Sequence, residues 1–251
     1  MRRITGTIIA YNEEGRIAGS LASLSCCDEV LVVDAESTDR TGELARARGA
    51  RVITRPWEGY SHQKNFAAEQ ASFDWILSID ADERLSAELA AEICTWKWNS
   101  DSLAAWSMPR RAYYLGRWIR YSGWYPDRKI RLYDRNRADW QGDFVHESLE
   151  VRGEIGKLYG DLLHFPYRDW SDHRQRIDRY TSLASEAARR SGRHGSFLKL
   201  VLAPPVSFVK TLVFQAGLLD GWRGWVIAAM GARYVFKREV RILRRWNSRL
   251  P

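Results

Sequence analysis

Cysteine is scarce in this chain, and no apolar run is long. Three cysteines among 251 residues, Cys26, Cys27 and Cys94, make no disulfide framework, and adjacent Cys26-Cys27 lacks the CxxC spacing of a redox or zinc site. A reducing compartment is therefore expected. No window holds 18 uninterrupted apolar residues, so a membrane-spanning helix is not expected. The opening stretch MRRITGTIIAYNEE meets charge too soon for the apolar region of a secretory signal. No GxGxxG follows the first apolar run and no GxxxxGK[ST] occurs, which removes the dinucleotide and P-loop readings. Repeats and low-complexity segments are also missing. With 45% hydrophobic and 28% charged residues, the chain has enough apolar side chains to build a core, so wholesale disorder is excluded.

What is present is an uneven charge. The net +8 divides into 26 Lys+Arg against 29 Asp+Glu over residues 1–188, and 13 against 2 over residues 189–251. A body at −3 and a tail at +11 do not describe a nucleic-acid-binding protein, and no nucleic-acid partner is expected.

The first hundred residues alternate between strand and helix patterns. Ile4–Ala10, Val30–Val33, Arg51–Thr54 and Trp75–Ile79 read as short buried strands. Between them lie helical spacings at Ile17, Leu21 and Leu24, over about Thr41–Arg48 behind Ser37-Thr38-Asp39 as N-cap residues, and around Gln63–Ala71. Such alternation with short links predicts a doubly wound, mostly parallel α/β sheet. From about residue 104 the pattern changes. Residues 111–143 are dense in aromatics, Gly and Arg and read as irregular structure or antiparallel strands. Residues 170–190 read as a charged amphipathic helix.

Ligands of open α/β sheets bind beyond the carboxyl ends of the strands. Three of the four strands end there in polar or acidic residues: Asn12-Glu13-Glu14, Asp34, and Asp80-Ala81-Asp82-Glu83. Clustered acids are costly unless a cation or hydrogen-bond donors arrive. Asp80 and Asp82 can both reach one hard cation such as Mg²⁺ or Mn²⁺, with coordination left for substrate phosphate. A turn or helix cap is the plain alternative for an Asp-x-Asp. Asp34 is placed to hydrogen-bond a base or ribose. Lys64, at a helix start in His62-Gln63-Lys64-Asn65, is placed to meet a diphosphate, unless it is a solvated surface lysine.

These residues together resemble a family. Ile8-Ile9-Ala10-Tyr11-Asn12-Glu13-Glu14, Val32-Val33-Asp34 with Ser37-Thr38-Asp39, Gln63-Lys64-Asn65 and Asp80-Ala81-Asp82-Glu83 are similar, in order and spacing, to family 2 glycosyltransferases of the GT-A fold. Pro126-Asp127, Arg131-Leu132-Tyr133, Trp140-Gln141-Gly142, Val145-His146-Glu147, Phe208-Val209-Lys210 and Asp220-Gly221-Trp222-Arg223-Gly224 resemble the lipopolysaccharide-core β-glucosyltransferase branch. Ala35 departs from the pattern, since many members carry a second Asp there, and base recognition then leans on Asp34.

The resemblance implies a GT-A catalytic domain over residues 1–168, with its acceptor side at about 104–168. A helical, basic, membrane-associating region follows over residues 169–251. It implies a nucleotide-sugar donor, UDP-glucose by the branch, contacted by Tyr11, Asn12, Glu13 and Asp34. A divalent cation would be held by Asp82, with Asp80 near the ribose or metal and His146 as a further ligand or a structural residue. Arg128 and Arg131 are expected on the diphosphate, or else in ion pairs. Inversion at the anomeric carbon needs a general base, for which Glu147 comes first and Asp127 second. The implied acceptor is an inner-core sugar on a lipid-anchored oligosaccharide. The expected location is cytoplasmic, peripheral on the inner membrane. Two other readings stay open: a nucleotidyltransferase of related fold, and a non-enzymatic membrane adaptor.

In the tail, Lys199, Lys210, Arg223, Arg233, Lys237, Arg238, Arg241, Arg244 and Arg245 alternate with Leu, Val, Phe and Trp, among them Trp222, Trp225 and Trp246. Long basic side chains around aromatics suit an anionic membrane surface. A basic helix packed on the catalytic domain is the alternative. Pro204-Pro205 are expected to break the region into two or three short amphipathic segments.

Overall fold

The β-branched run at the start of the chain forms β1 (Ile4–Ala10). It is followed by α1 (Ile17–Ser23), β2 (Glu29–Asp34), α2 (Thr41–Arg46), β3 (Arg51–Thr54), α3 (Tyr60–Gln70) and β4 (Trp75–Asp80). β1 pairs in parallel with both β2 and β4, and β2 pairs in parallel with β3. Successive strand side chains point to opposite faces, so a sheet covered on both sides reads as continuously apolar. Ile4, Ile8, Val32, Leu77 and Ile79 join Ile17 and Leu21 of α1 in one cluster. Leu31, Val33 and Ile53 of the other face meet Phe66 and Ala67 of α3. The expected doubly wound arrangement is present.

The computed structural model describes residues 1–142, 147–167, 170–192 and 195–247. Two compact units divide the chain, Met1–Arg111 with Asp127–His164, and Ala112–Pro126 with Phe165–Pro251. After β4 come β5 (Glu83–Leu85), α4 (Ala87–Trp96), β6 (Ala105–Tyr114), β7 (Arg117–Trp118), β8 (Asp127–Asp134), β9 (Ala138–Gln141), β10 (Ser148–Val151), β11 (Ile155–Lys157) and β12 (Leu162–His164). The aromatic, Arg-rich stretch thus supplies antiparallel strands: β8 lies between β4 and β6, in the order β3-β2-β1-β4-β8-β6-β12-β5. Ser86 caps α4 by accepting the Leu89 N–H at 3.2 Å. Just before β12, Gly160 lies against the same turn. A Cβ there would sit 2.4 Å from the Leu89 backbone nitrogen, so only glycine permits the approach. β12 then runs antiparallel to β5 and sets His164 opposite Glu83.

The second unit holds the β6–β7 turn and three long helices, α5 (Trp170–Arg190), α6 (Phe197–Val209) and α7 (Trp222–Asn247). The amphipathic helix expected over 170–190 has those bounds. The expectation for the tail needs correction: α6 passes through Pro204 and Pro205 and continues into a π-helical turn over Lys210–Phe214. Each proline removes a backbone donor and crowds the preceding turn, costing about 3 kcal/mol in an isolated helix interior. Packing of α6 along α7 offsets that cost; Phe208 meets Trp225 with ring centroids 5.9 Å apart. The consequence is an 18-residue helix, Phe197–Phe214, long and apolar enough by length and composition to cross a membrane, although Lys199, Ser207 and Lys210 interrupt its apolar run.

Candidate active site

At the carboxyl rim of the parallel strands, two loops are fastened to each other. Asn12 follows β1 with φ +54°, and Glu36 follows β2 with φ +59°. The Asn12 N–H donates to Ser37 Oγ at 2.9 Å, and Asn12 Oδ1 accepts the Thr38 N–H at 2.8 Å. Glu13 N–H donates to Thr41 Oγ1 at 2.8 Å and Glu14 N–H to Asp39 Oδ2 at 3.1 Å. Ser37 is therefore not the cap of α2, whose N-cap position is Arg40; Asp39 instead accepts the Thr41 N–H at 2.9 Å. Asp34 is buried, accepting from the Ser37 N–H at 3.3 Å and from its hydroxyl. Tyr11 stays exposed beside this rigid pair of loops.

The acids around β4 meet cations supplied by the protein itself. Lys64 of α3 is buried, with Nζ 3.0 Å from Asp80 Oδ1 and 3.3 Å from Glu147 Oε1, above the Trp140 ring at 4.3 Å. The surface-lysine alternative is thereby overturned. Arg131 of β8 places Nη2 2.7 Å from Asp80 Oδ2 and 2.8 Å from Glu83 Oε1, and its Nε donates to Glu83 Oε2 at 3.1 Å. Arg110 of β6 continues from Glu83 at 3.1 Å to Asp127 at 2.6 Å, and Lys129 ends the series 3.0 Å from Asp127. Acid and base alternate along Glu147–Lys64–Asp80–Arg131–Glu83–Arg110–Asp127–Lys129.

The electrostatics follow from that order. Burial alone would raise the Asp80 carboxyl, but Arg131, Lys64 and Arg110 hold it far below the ordinary carboxylate range. Burial likewise opposes the charge on Arg131, and Asp80 with Glu83 more than offsets it, so the guanidinium stays protonated. For Asp127, Arg110 and Lys129 outweigh burial and lower the carboxyl. Arg131, expected on the diphosphate, is thus engaged within the protein. Arg128 is too: its Nη2 donates to the Ser107 and Leu158 carbonyls, each at 2.7 Å.

Asp82 faces a different partner. Its Oδ2 lies 3.5 Å from His164 Nε2, and both side chains keep 17% of their accessible surface. A carboxylate and an imidazole at one partly open point form a mixed oxygen and nitrogen donor set that suits Mn²⁺ better than the oxygen-seeking Mg²⁺. Among the described residues no group of three or more His, Cys, Asp or Glu is gathered for a metal. An ion completed by substrate phosphate does not need such a cage. His146, expected as a ligand, lies outside the described residues.

Sequence reasoning missed His164, Glu83 and Arg110. Glu83 stood in view inside Asp80-Ala81-Asp82-Glu83 but is wholly buried, an anchor for two arginines and for the Asp80 N–H at 3.0 Å. His164 closes the apolar pair Leu162-Leu163, and only the β12–β5 register brings it to Asp82. Arg110 carried no local signal.

The fastened loops, the acid-ended strands and Asp82 all lie within residues 7–147, the segment that the family model described as glycosyl transferase family 2 matches; His164 lies beyond it. The chain belongs to glycosyl transferase family 2. It is a glycosyltransferase, and the nucleotidyltransferase and adaptor readings give way. Among curated relatives of this family 2 enzyme is the lipopolysaccharide core biosynthesis glycosyltransferase LpsC of Rhizobium meliloti, 32% identical over 96% of this chain and 92% of the relative. An uncharacterized glycosyltransferase of Rickettsia typhi is 32% identical over 96% of this chain and 86% of its own. In the solved structures, a Pyrobaculum calidifontis mannosyltransferase in complex with GDP-Man and Mn²⁺ aligns with a TM-score of 0.55 at 15% identity, covering 96% of this chain and 87% of that one. Glucosyl-3-phosphoglycerate synthase from Mycobacterium tuberculosis, with Mn²⁺, UDP and glucosyl-3-phosphoglycerate, aligns at 0.51 with 18% identity, covering 78% and 82%. At these identities the two structures show the fold, which is of the GT-A type.

Proposed function

We propose that this family 2 enzyme transfers a hexose, glucose from UDP-glucose, with inversion onto an inner-core sugar of a lipid-anchored lipopolysaccharide or lipooligosaccharide. The observation that carries the reading is the Asp82–His164 pair beyond β4, set apart from Asp80, Glu83 and Asp127, which lysine and arginine side chains already neutralise. The acceptor class follows LpsC, whose name places it in lipopolysaccharide core synthesis. The location that goes with this acceptor is the cytoplasmic face of the inner membrane, where the free thiols of Cys26, Cys27 and Cys94 would stay reduced.

Asp82 and His164 would hold a divalent cation, which when bound supplies positive charge against the departing nucleoside diphosphate. The residues of the chain do the rest. Asp34, with the loops tied at Asn12 and Ser37, gives a preorganised seat for the nucleoside, and exposed Tyr11 offers a face for the base. Glu147 accepts the acceptor hydroxyl proton as that oxygen bonds to the anomeric carbon and the bond from that carbon to phosphate oxygen breaks. Lys64, between Glu147 and Asp80, fixes the base relative to the rim. Asp127 is the second choice of base; its ties to Arg110 and Lys129 suit an anchoring role better.

The test is a thermal-shift panel of UDP-, GDP-, ADP- and dTDP-sugars with and without Mn²⁺, in the wild type and in Asp82→Ala. Binding raises apparent stability by mass action, so UDP-glucose with Mn²⁺ should raise the melting temperature of the wild type alone. A Mn²⁺-dependent shift retained in Asp82→Ala would remove the metal role from this residue. A response to another nucleotide would replace the donor.

A further inference from the structure

In the second unit, α6 turns an apolar face to solvent. Leu198, Leu202, Val206 and Val209 of α6 and Val213 of the π turn recur at three- and four-residue steps with Val201 beside them, and all are exposed, with Val206 at 63% and Leu198 at 68%. No residue of α6 is buried. Phe214, 81% exposed at the end of the π turn, then Leu219 and Trp222 extend the apolar surface. A core helix would hide such a stripe, and contiguous apolar surface of this extent marks a contact site.

Charge identifies what covers it. Residues 189–251 contain 13 basic and two acidic side chains. Both acids are withdrawn from the surface. Asp220 is 4% exposed and accepts from the Arg120 and Tyr121 N–H groups and the Ser122 hydroxyl; Glu239 is 1% exposed and pairs with Arg238. Lys237 and Arg241 of α7 are paired with Asp178 of α5, whereas the charges carried beside the stripe itself, Lys199 and Lys210, are basic and exposed. Lys199 and Lys210, eleven residues apart, fall on one side of the helix at the two ends of the stripe. A second copy of the chain would bring the same positive field and be repelled. An anionic lipid surface supplies both missing complements, an apolar layer for the valines and leucines and phosphates for the lysines, with Trp222 at headgroup depth.

We propose that α6 lies in the plane of an anionic bilayer with its valine-leucine face sunk into the acyl boundary, as a monotopic anchor. Packing along α7 holds the opposite side of α6 on the protein, so the helix dips in rather than crossing. The proposal stands on α6 and its charges, independently of the donor and acceptor assigned above. It adds to that assignment a reason for the enzyme to meet a lipid-linked acceptor.

The test is flotation of the full chain with vesicles of phosphatidylglycerol and phosphatidylethanolamine, and with vesicles of phosphatidylcholine alone. The wild type should float with the anionic vesicles. Raising NaCl to about 0.5 M, where screening acts within about 5 Å, should weaken that binding without abolishing it. The double variant Val201→Asp/Val206→Asp should lose more than about tenfold in vesicle partitioning. Its circular dichroism and its thermal shift with nucleotide sugar should match the wild type, which keeps a failed anchor distinct from a failed enzyme. Complete release of the wild type by salt would overturn insertion. So would flotation of the double variant at wild-type levels, or an oligomer in lipid-free solution that the double variant dissolves.

Discussion

Replacing Arg131 by methionine tests whether the alternating charge chain holds the rim together. Arg131 is 4% exposed and makes three contacts, to Asp80 at 2.7 Å and to Glu83 at 2.8 and 3.1 Å. Removing one member of a buried ion pair costs about 3–5 kcal/mol, because a charge is left without its partner. Here neither carboxylate is wholly abandoned: Asp80 keeps Lys64 at 3.0 Å, and Glu83 keeps Arg110 at 3.1 Å. The expected loss is therefore the lower end, about 3 kcal/mol, a large share of a domain's ~5–15 kcal/mol. Urea unfolding followed by tryptophan fluorescence measures it, with hydrogen exchange at β4 and β8 assigning the loss to this unit. Arg131→Met combined with Glu83→Gln should recover about 1–3 kcal/mol relative to the sum of the single changes, since the two side chains share a two-bond contact. The pH dependence has a definite sign. The wild-type Asp80 carboxyl sits far below its unfolded value, so its stabilisation is full above about pH 5 and drains away as pH falls. Without Arg131 that carboxyl moves up, so the variant loses less on acidification and the two stability curves converge. A loss below about 1 kcal/mol, or strict additivity in the double variant, would refute the chain as a structural unit.

Two further outcomes are expected. Glu147→Gln should keep Mn²⁺-dependent donor binding while transfer falls about 10²–10⁴-fold; single-turnover transfer at the wild-type rate would move the base to Asp127. In the second unit, burial pushes His173 down to about 4, with its Nδ1 2.6 Å from the Tyr114 hydroxyl and its ring stacked on Tyr167 at 4.0 Å. A histidine held neutral stabilises fully above its unfolded value near 6.5. As pH falls from there to about 4, the unfolded chain takes a proton that the fold refuses, a loss of up to about 3 kcal/mol. Melting at stepped pH should show His173→Gln flatter than the wild type across that window, and superimposable profiles would exclude the linkage.

The strand runs, their polar ends and the position of Asp82 were legible in the sequence. So were helices α1, α3 and α5 and the division of charge between body and tail. Each of these depends on periodicity, capping or composition within a few neighbouring residues, and the geometry of a short segment carries that information by itself. Only the tertiary structure decided what the acids do. Asp80 and Arg131 are 51 residues apart and Lys64 and Glu147 are 83 apart, yet sheet register and the docking of α3 bring them within hydrogen-bonding distance. His164 reaches Asp82 because β12 pairs with β5, a choice made by non-local hydrogen bonds. The two prolines of α6 point the same way. Propensity opposes a helix there, and it forms because packing against α7 outweighs a local cost that the sequence displays without its compensation. Composition makes the rim acidic, and pair distances of about 3 Å neutralise Asp80, Glu83, Asp127 and Glu147 within the protein, while Asp82 faces His164.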